Sequence, residues 1–308
     1  IKETYMIIKI FNPVHFKMFI REVYTNSKGE NFSYLMHGNS DAENLIFFFH
    51  ATGFNAETYN NFLSNLSKKL GENYKIVSLD QRGHGLSLAN ADPDKLTTWN
   101  SFVKDAKDFV QTFSSKKLYF SGHSMGAIIA LKLSTEFSEI SRLFLIDPVL
   151  PGPKFSAYGR MKKVLRLNKT SHMVLAAKNR RFEFASKQEA FYHFKGRGAY
   201  KSWDDDILQD YLNGGMIVED GKSYLSCHPH WEAEVFNTAS LDTWKYIKKV
   251  KCEVFIPYAL IASTMGDGAR KSIQKYQNFR LKPYDASHFL PMEKGDQLSS
   301  DIESFILR

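Results

Sequence analysis

One serine of the chain lies between two glycines, at a point where a strand pattern gives way to a helical one. Residues 122–126 read Gly-His-Ser-Met-Gly; they follow the apolar stretch 118–121 and precede the small, apolar residues 127–130. A turn this sharp holds its serine in strained backbone geometry, and glycine on both sides lets the strand and the helix approach without side-chain clash. Because the turn exposes the hydroxyl at the end of a strand, Ser124 is predicted to be the nucleophile of an acyl-transfer reaction.

Acyl transfer also needs a donor for the negative charge that develops on the attacked carbonyl oxygen. Met125 begins the predicted helix, and the N-terminus of a helix presents backbone N–H groups together with the positive end of the helix dipole. The Met125 backbone N–H is therefore predicted to stabilise the oxyanion. A general base is required as well, because a serine hydroxyl at its ordinary pKa is a weak nucleophile.

The elements that carry this turn alternate along the first half of the chain, short apolar stretches with amphipathic ones. That alternation is typical of an α/β fold, a largely parallel sheet flanked by helices. Residues 26–29, Asn-Ser-Lys-Gly, are predicted to join the first two strands into a hairpin. Strands are predicted at 16–24, 32–37, 45–50, 75–79, 118–121 and 143–146, and helices at 58–70, 99–113 and 125–137.

The pattern changes after residue 150 and returns near residue 250. Residues 151–153, Pro-Gly-Pro, interrupt the alternation, and the residues up to 240 are charged, rich in aromatic side chains and mostly helical in pattern. The chain is therefore predicted to have an α/β core in two parts, 1–150 and 241–308, separated by an inserted helical lid at 151–240. In the second part, strands are predicted at 254–258 and 279–284, and helices at 269–276 and 297–307.

Three further segments, together with the serine turn, resemble the α/β-hydrolase superfamily, and within it the lid-bearing serine esterase and C–C hydrolase branch. They read Phe-Phe-Phe-His-Ala-Thr-Gly-Phe at 47–54, Asp-Gln-Arg-Gly-His-Gly-Leu-Ser at 80–87 and Ser-His-Phe-Leu-Pro-Met-Glu-Lys at 287–294. The resemblance covers nearly the whole chain. It implies the α/β-hydrolase fold, a mostly parallel central sheet with an inserted, mainly helical lid, and hydrolysis without a cofactor.

The resemblance also implies roles for single residues in these segments. The Thr52 backbone N–H becomes the second oxyanion donor, and His50 takes a structural role. His288, after the last predicted strand, becomes the base that takes the proton of Ser124 and returns it to the leaving group. The residues expected to brace the loops beneath the site, without chemistry of their own, are Asp80, Arg82 and His84.

The acid that should orient the base is missing from the position that the superfamily usually uses. After the strand predicted at 254–258, residues 260–263 read Leu-Ile-Ala-Ser and carry no carboxylate. Two carboxylates compete for the role: Asp147, which ends the strand predicted at 143–146, and Asp267, which requires the loop to fold back. Asp147 is preferred because its distance from a strand end is right.

The resemblance implies hydrolysis through an acyl-enzyme, with a small to medium apolar ester as the default substrate. Cleavage of C–C bonds, lactones or amides is the alternative within the same fold. A non-catalytic ligand-binding or sensor protein with a degraded triad is the alternative from another class. No metal or nucleotide cofactor is expected, because residues 227–230, Cys-His-Pro-His, crowd three donors around a proline, and no phosphate-binding glycine pattern follows a strand.

The formal charge of +8 raises the question of nucleic-acid binding. Residues 151–201 hold 13 lysines and arginines against 2 acidic residues, whereas residues 202–240 hold 1 against 8. So local an imbalance favours pairing within the insertion, for example with the aspartates at 204–206, over binding to nucleic acid. No stretch reaches the ~20 apolar residues of a membrane span, and no secretory leader is recognisable, so a cytoplasmic location without membrane insertion is favoured.

Overall fold

The structure is a computed structural model that describes residues 19–164 and 171–308. Its first part alternates strands and helices, as the sequence predicts. Residues 16–18 of the first predicted strand lie outside the described residues. The strands are β1 (Phe19–Thr25), β2 (Asn31–Gly38), β3 (Asn44–Phe49), β4 (Tyr74–Leu79), β5 (Lys117–His123) and β6 (Ile140–Ile146), and the helices are α1 (Asn60–Leu70), α2 (Asn100–Val110) and α3 (Met125–Ser134).

Helices and a small sheet make up the described part of residues 151–240, which the sequence predicts to be an insertion. The helices are α4 (Pro153–Val164), α5 (His172–Lys178), α6 (Lys187–Phe194), α7 (Asp205–Gly215) and α8 (Pro229–Asn237), and the strands are β7 (Glu183–Phe184), β8 (Met216–Glu219) and β9 (Lys222–Leu225). These strands form an antiparallel sheet in the order β7-β9-β8. The sequence pattern predicts the helices but not this sheet, because strands of two to four residues are too short to show a period. The bounds of the insertion at 151–240 and its role as a lid stay predictions.

The core resumes after the insertion and completes an eight-stranded sheet. Its elements are α9 (Trp244–Ile247), β10 (Glu253–Ala259), α10 (Asp267–Ile273), β11 (Phe279–Tyr284), α11 (Leu290–Glu293) and α12 (Gly295–Leu307). The strand order is β1-β2-β4-β3-β5-β6-β10-β11, with β2 antiparallel to both neighbours and every other pair parallel. Within the described ranges, no helix has the length and apolar character needed to cross a membrane.

Parallel strands place their carboxyl ends at one edge of the sheet, and here that edge carries the loops after β3, β5, β6 and β11. Each of these loops holds one of the predicted site residues: Thr52 follows β3, Ser124 follows β5, Asp147 follows β6 and His288 follows β11. The topology therefore brings together residues that are far apart in the sequence.

Helix α3 begins directly after Ser124 and is buried along its whole length. It contacts β3, β5 and β6 on one side and α2 and α9 on the other, as expected for a helix that is apolar all round. Its single cation, Lys132, pairs with Asp242 at 2.9 Å and donates to Asn100 Oδ1 at 3.0 Å. The helix thus fixes the position of the residue that precedes it.

Candidate active site

Ser124 forms a strained turn between β5 and α3, with φ of 57° and ψ of −114°. Such angles are costly for any residue with a side chain and persist only where the surroundings enforce them. The Ser124 N–H donates to the Ile146 carbonyl at 3.0 Å, which holds the turn against the end of β6. A Cβ added at Gly122 would lie 2.3 Å from the carbonyl carbon of Gly126, so both glycines are needed for the close packing. This is the geometry that the glycine-flanked serine predicts.

Gly126→Ala is expected to destabilise the protein, because the added methyl would lie 2.0 Å from the Phe49 carbonyl oxygen. A backbone atom cannot turn aside, and overpacking of this kind lowers the free energy of unfolding by about 3 kcal/mol, which urea unfolding measures. Gly268→Ala is the matched control, since its nearest contact would be at 3.5 Å. Equal stability of the two variants would contradict the tight contact between α3 and β3.

His288 connects Ser124 to a carboxylate. It lies in a turn held by Glu293, whose carboxylate accepts hydrogen bonds from the Ser287 N–H and hydroxyl. His288 Nε2 lies 3.0 Å from Ser124 Oγ, and Nδ1 lies 2.6 Å from Asp147 Oδ2. Because an ionised carboxylate only accepts, Nδ1 carries the proton and Nε2 is left to accept from the serine hydroxyl. The structure thus aligns the three side chains in the order that a base-activated serine requires.

Asp147 is fully buried at the end of β6, with a φ of 35°. Its Oδ1 accepts from the Ala259 N–H and the Ser263 hydroxyl, and its Oδ2 accepts from the Thr264 N–H as well as from His288. Burial alone would raise the pKa of this carboxyl, but the hydrogen bonds and the neighbouring imidazole hold the pKa below its ordinary value. The loop after β10, which lacks the usual carboxylate, therefore supplies donors to the one at the end of β6.

Asp267, the alternative acid, lies at the start of α10 with its side chain 80% exposed. It forms an ion pair with Arg270 on the same helix. The structure therefore places Asp147, and not Asp267, against Nδ1 of His288. For Asp267 to orient His288, the pair with Arg270 would have to break and the loop would have to move.

The loop after β3 is fixed by His50, which is fully buried. Its Nε2 accepts from the Gln81 N–H at 2.9 Å, so Nδ1 carries the proton and donates to the Ala51 carbonyl at 2.8 Å. In a planar trans peptide, the carbonyl and the following N–H point in opposite directions. Turning the Ala51 carbonyl towards His50 therefore turns the Thr52 N–H away from it. Burial lowers the pKa of His50 to about 4, which keeps this tautomer neutral.

Thr52 and Met125, whose N–H groups are the predicted oxyanion donors, are both buried and in contact. The Thr52 hydroxyl donates to Met125 Sδ at 3.3 Å. The loop after β3 thus touches the first residue of α3 beside Ser124, which is the arrangement that two converging backbone donors require. Their role as donors stays a prediction.

The turn after β4 braces the neighbouring loops through hydrogen bonds and ion pairs. Asp80 is fully buried and accepts from the Ala56 N–H at 2.8 Å. Arg82 donates to both carboxylate oxygens of Glu30 and to both of Asp105, at 2.6 to 2.8 Å. These contacts are structural, as the sequence resemblance implies for this segment.

Polar side chains of the insertion cover the loop after β3. Arg180 pairs with Glu232 at 2.9 Å and donates to the hydroxyls of Tyr200 and Tyr211. The pair lies against Gly53, where an added Cβ would come within 2.3 Å of Glu232 Oε1. The position of this loop therefore depends on the insertion as well as on the core.

An aromatic cluster lies between the loop after β3 and the base. The ring of Phe54 lies 5.2 Å from Trp203, 5.9 Å from Tyr211 and 5.9 Å from Phe289, measured between centroids. Phe289 directly follows His288, and its ring lies 5.6 Å from the imidazole. The insertion thus contributes apolar surface next to the candidate active site.

The Cys-His-Pro-His segment at 227–230 belongs to the start of α8. His228 Nδ1 accepts from the His230 N–H at 3.3 Å, which caps the helix, and Pro229 occupies its first turn. Cys227 is buried, which raises the pKa of its thiol. Across 19–164 and 171–308, no three His, Cys, Asp or Glu side chains are grouped as a metal site would require.

The fold and the arrangement of these residues define an α/β hydrolase. Residues 40–195, which are half of the chain, match the family described as serine aminopeptidase, S33. The chain belongs to that family. The predicted fold class, a mostly parallel sheet flanked by helices, is therefore confirmed.

Solved structures with the same fold cover nearly the whole chain. An E-2-(acetamidomethylene)succinate hydrolase superposes with a TM-score of 0.75 at 16% identity, over 94% of this chain and 100% of the other. A peroxisomal α/β-hydrolase from Saccharomyces cerevisiae superposes with a TM-score of 0.71 at 16% identity, over 94% and 90%. Identities this low show a common fold alone.

Curated relatives match shorter stretches at higher identity. A protein phosphatase methylesterase from Candida albicans is 30% identical over 137 residues, which are 42% of this chain and 36% of the relative. An N-formylmaleamate deformylase from Pseudomonas putida is 32% identical over 94 residues, which are 30% of this chain and 34% of the relative. The chain thus spans about a third of the length of the curated relatives that it matches.

Proposed function

We propose that this chain is a serine hydrolase that cleaves carboxylic esters, with Ser124 as nucleophile, His288 as base and Asp147 as the acid that orients it. The observation that carries the proposal is the unbroken line of hydrogen bonds from Asp147 through His288 to Ser124, at 2.6 and 3.0 Å. The strained turn at Ser124 and the family membership support it. The loop after β10 lacks the usual carboxylate, which is the reason for considering a non-catalytic sensor. Asp147 supplies a carboxylate to His288 from the end of β6 instead.

The reaction runs in two halves through an acyl-enzyme. Ser124 Oγ attacks the carbonyl carbon while its proton passes to His288 Nε2, and the oxyanion is bound by the N–H groups of Thr52 and Met125. The bond to the alcohol then breaks, and the alcohol leaves with the proton from His288. Water next attacks the acyl group and gives a proton to His288; when the acid leaves, the proton returns to Ser124. Asp147 stays ionised and stabilises the imidazolium.

A small to medium apolar ester suits the surroundings of Ser124. The aromatic cluster of Phe54, Trp203 and Phe289 adjoins the base and offers apolar surface that excludes water. The relatives are named as a methylesterase and a deformylase, and the family as a serine aminopeptidase. Esters are preferred among these carbonyl substrates because an alcohol leaves more readily than an amine. Amides, lactones and C–C bonds next to a carbonyl are the alternative substrates.

Labelling with a fluorophosphonate tests whether the chain is catalytic. The probe phosphonylates a serine, with loss of fluoride, only when a base activates it, so the wild-type chain should form one covalent adduct on the peptide that contains Ser124. Mass spectrometry of the digested protein identifies the site. A folded chain that stays unlabelled would refute the serine-hydrolase proposal and favour the ligand-binding alternative.

Turnover of p-nitrophenyl esters of increasing acyl length, measured beside p-nitroanilides of the same acyl groups, tests the substrate class. Esters are expected to react at least about tenfold faster, with a maximum of kcat/KM at short or medium acyl length. A chain that is labelled by the fluorophosphonate but prefers anilides would be an amidase or peptidase of the same mechanism.

A further inference from the structure

A second line of hydrogen bonds passes behind the candidate triad and uses residues that the mechanism above leaves without a role. The Ala51 N–H donates to the Tyr59 hydroxyl oxygen at 3.0 Å, Tyr59 Oη lies 2.8 Å from His123 Nδ1, and His123 Nε2 lies 2.8 Å from the His288 carbonyl oxygen. Tyr59 is 1% exposed and His123 is fully buried. The line therefore runs entirely inside the protein.

The chemistry of the groups fixes the direction of every bond in this line. A carbonyl oxygen only accepts, so His123 Nε2 carries the proton and donates to His288. His123 Nδ1 must then accept, and the Tyr59 hydroxyl donates to it while accepting from Ala51. Burial, and then the nearby His288, lower the pKa of His123 to about 3, so the ring stays neutral in this tautomer. All donors and acceptors in the line are satisfied without conflict.

The line connects the ends of three strands. Ala51 belongs to the loop after β3 that carries the predicted oxyanion donor, His123 is the last residue of β5 and adjoins Ser124, and His288 follows β11. The imidazole rings of His123 and His288 lie 4.7 Å apart. A shift of Tyr59 or His123 would therefore displace the loop after β3, the nucleophile and the base together.

We propose that Tyr59 and His123 are positioning residues. They fix the positions of the His288 backbone and of the loop that contains Ala51 relative to Ser124. The proposal rests on the serine-hydrolase function proposed above. Neither side chain touches the substrate; the pair acts through His288, whose imidazole must stay within hydrogen-bond distance of the serine hydroxyl. Misplacement of a catalytic group by about 1 Å can cost about 10²-fold in rate. Loss of the line should therefore slow turnover without weakening substrate binding.

Tyr59→Phe removes one hydroxyl and tests the line directly. We expect kcat on a p-nitrophenyl ester to fall by about tenfold or more, with KM within about twofold of the wild-type value. The rate of fluorophosphonate labelling should fall in parallel, since it reports activation of Ser124 without an ester. Tyr119→Phe is the matched control, because it also removes a buried tyrosine hydroxyl. The Tyr119 hydroxyl is hydrogen-bonded to Tyr74 and is not part of the line.

Two substitutions of His123 separate positioning from simple packing. Glutamine can place an N–H near the position of Nε2 and reach the His288 carbonyl, whereas asparagine can accept from Tyr59 but is too short to reach it. His123→Gln should therefore keep more of kcat than His123→Asn. In the double variant Tyr59→Phe/His123→Asn, the loss should be no greater than that of the slower single variant, because both break one line.

The outcomes distinguish this inference from the function on which it rests. A wild-type chain that neither hydrolyses esters nor reacts with the fluorophosphonate refutes the proposed function. An active wild-type chain whose Tyr59→Phe variant behaves like Tyr119→Phe overturns the inference alone, as does a loss seen only in KM. Multiplying losses in the double variant, or equal losses for His123→Gln and His123→Asn, also overturn it. If Tyr59→Phe does not fold, the pair of His123 variants decides.

Discussion

Replacing Ser124 by alanine is expected to abolish ester hydrolysis, with kcat lowered by about 10⁴-fold or more. The attacking oxygen is lost, and the acyl-enzyme can no longer form on residue 124. Alanine carries the same Cβ through the same strained turn, so the free energy of unfolding should fall by about 1 kcal/mol or less, the value of the lost hydrogen bond. Steady-state rates on p-nitrophenyl butyrate and urea unfolding measure the two effects.

Ser121→Ala is the control for this experiment. Ser121 lies on β5 three residues before the nucleophile, and within the described part of the chain its buried hydroxyl has no hydrogen-bond partner. Its removal should leave kcat within about twofold of the wild-type value. Equal losses in the two variants would indicate damaged packing of β5, and full activity of Ser124→Ala would exclude Ser124 as the nucleophile.

The turn at Ser124 could be predicted because everything that defines it is local. Five consecutive residues lie between a strand pattern and a helical one. Glycine at 122 and 126 has a steric reason, because it lets the strand and the helix approach without side-chain clash. The strands of the core were equally predictable. Those buried on both faces, such as β3, are continuous apolar stretches because they lie in the middle of a parallel sheet.

The surroundings of Asp147 could not be predicted in the same way. Residues 260–263 contain no carboxylate, so side-chain types alone predict no contribution of this segment to the site. In the structure Ser263, together with the Ala259 and Thr264 backbone N–H groups, donates to Asp147 from more than a hundred positions away in the sequence. Donors of this kind depend on the path of a loop, which side-chain types and spacing do not encode.

The insertion shows a similar limit. Its charge imbalance predicts pairing between its basic and acidic halves, and the structure contains such pairs, among them Lys195 with Asp205 and Arg180 with Glu232. The sequence gives no reason for the second pair to be placed against Gly53 in the loop after β3. The role of Tyr59 and His123 could not be predicted for the same reason, since a tyrosine in a predicted helix and a histidine between Gly122 and Ser124 form no recognisable pattern.

Asp147→Asn is expected to lower kcat by about 10⁴-fold while the chain stays folded. The asparagine amide has nearly the shape of the carboxylate, but its NH₂ group donates where Oδ2 accepts the proton of His288 Nδ1. A His288 that accepts at Nδ1 carries its proton on Nε2 and cannot take the proton of Ser124. The variant also loses the negative charge that stabilises the imidazolium. The rate of fluorophosphonate labelling should therefore fall together with kcat.

Asp267→Asn, measured side by side, decides between the two carboxylates. Its side chain is exposed and paired with Arg270, so kcat should stay within about twofold of the wild-type value. Activity lost in Asp267→Asn alone would reverse the assignment of the acid. The Ala259 N–H donates to Oδ1 of Asp147 and the Thr264 N–H to Oδ2, so an asparagine whose NH₂ replaces Oδ2 leaves the Thr264 N–H without an acceptor, at a cost of about 1–3 kcal/mol of stability. A variant that stays folded in the absence of urea, yet reacts slowly with the probe, would separate orientation of the base from support of the loop.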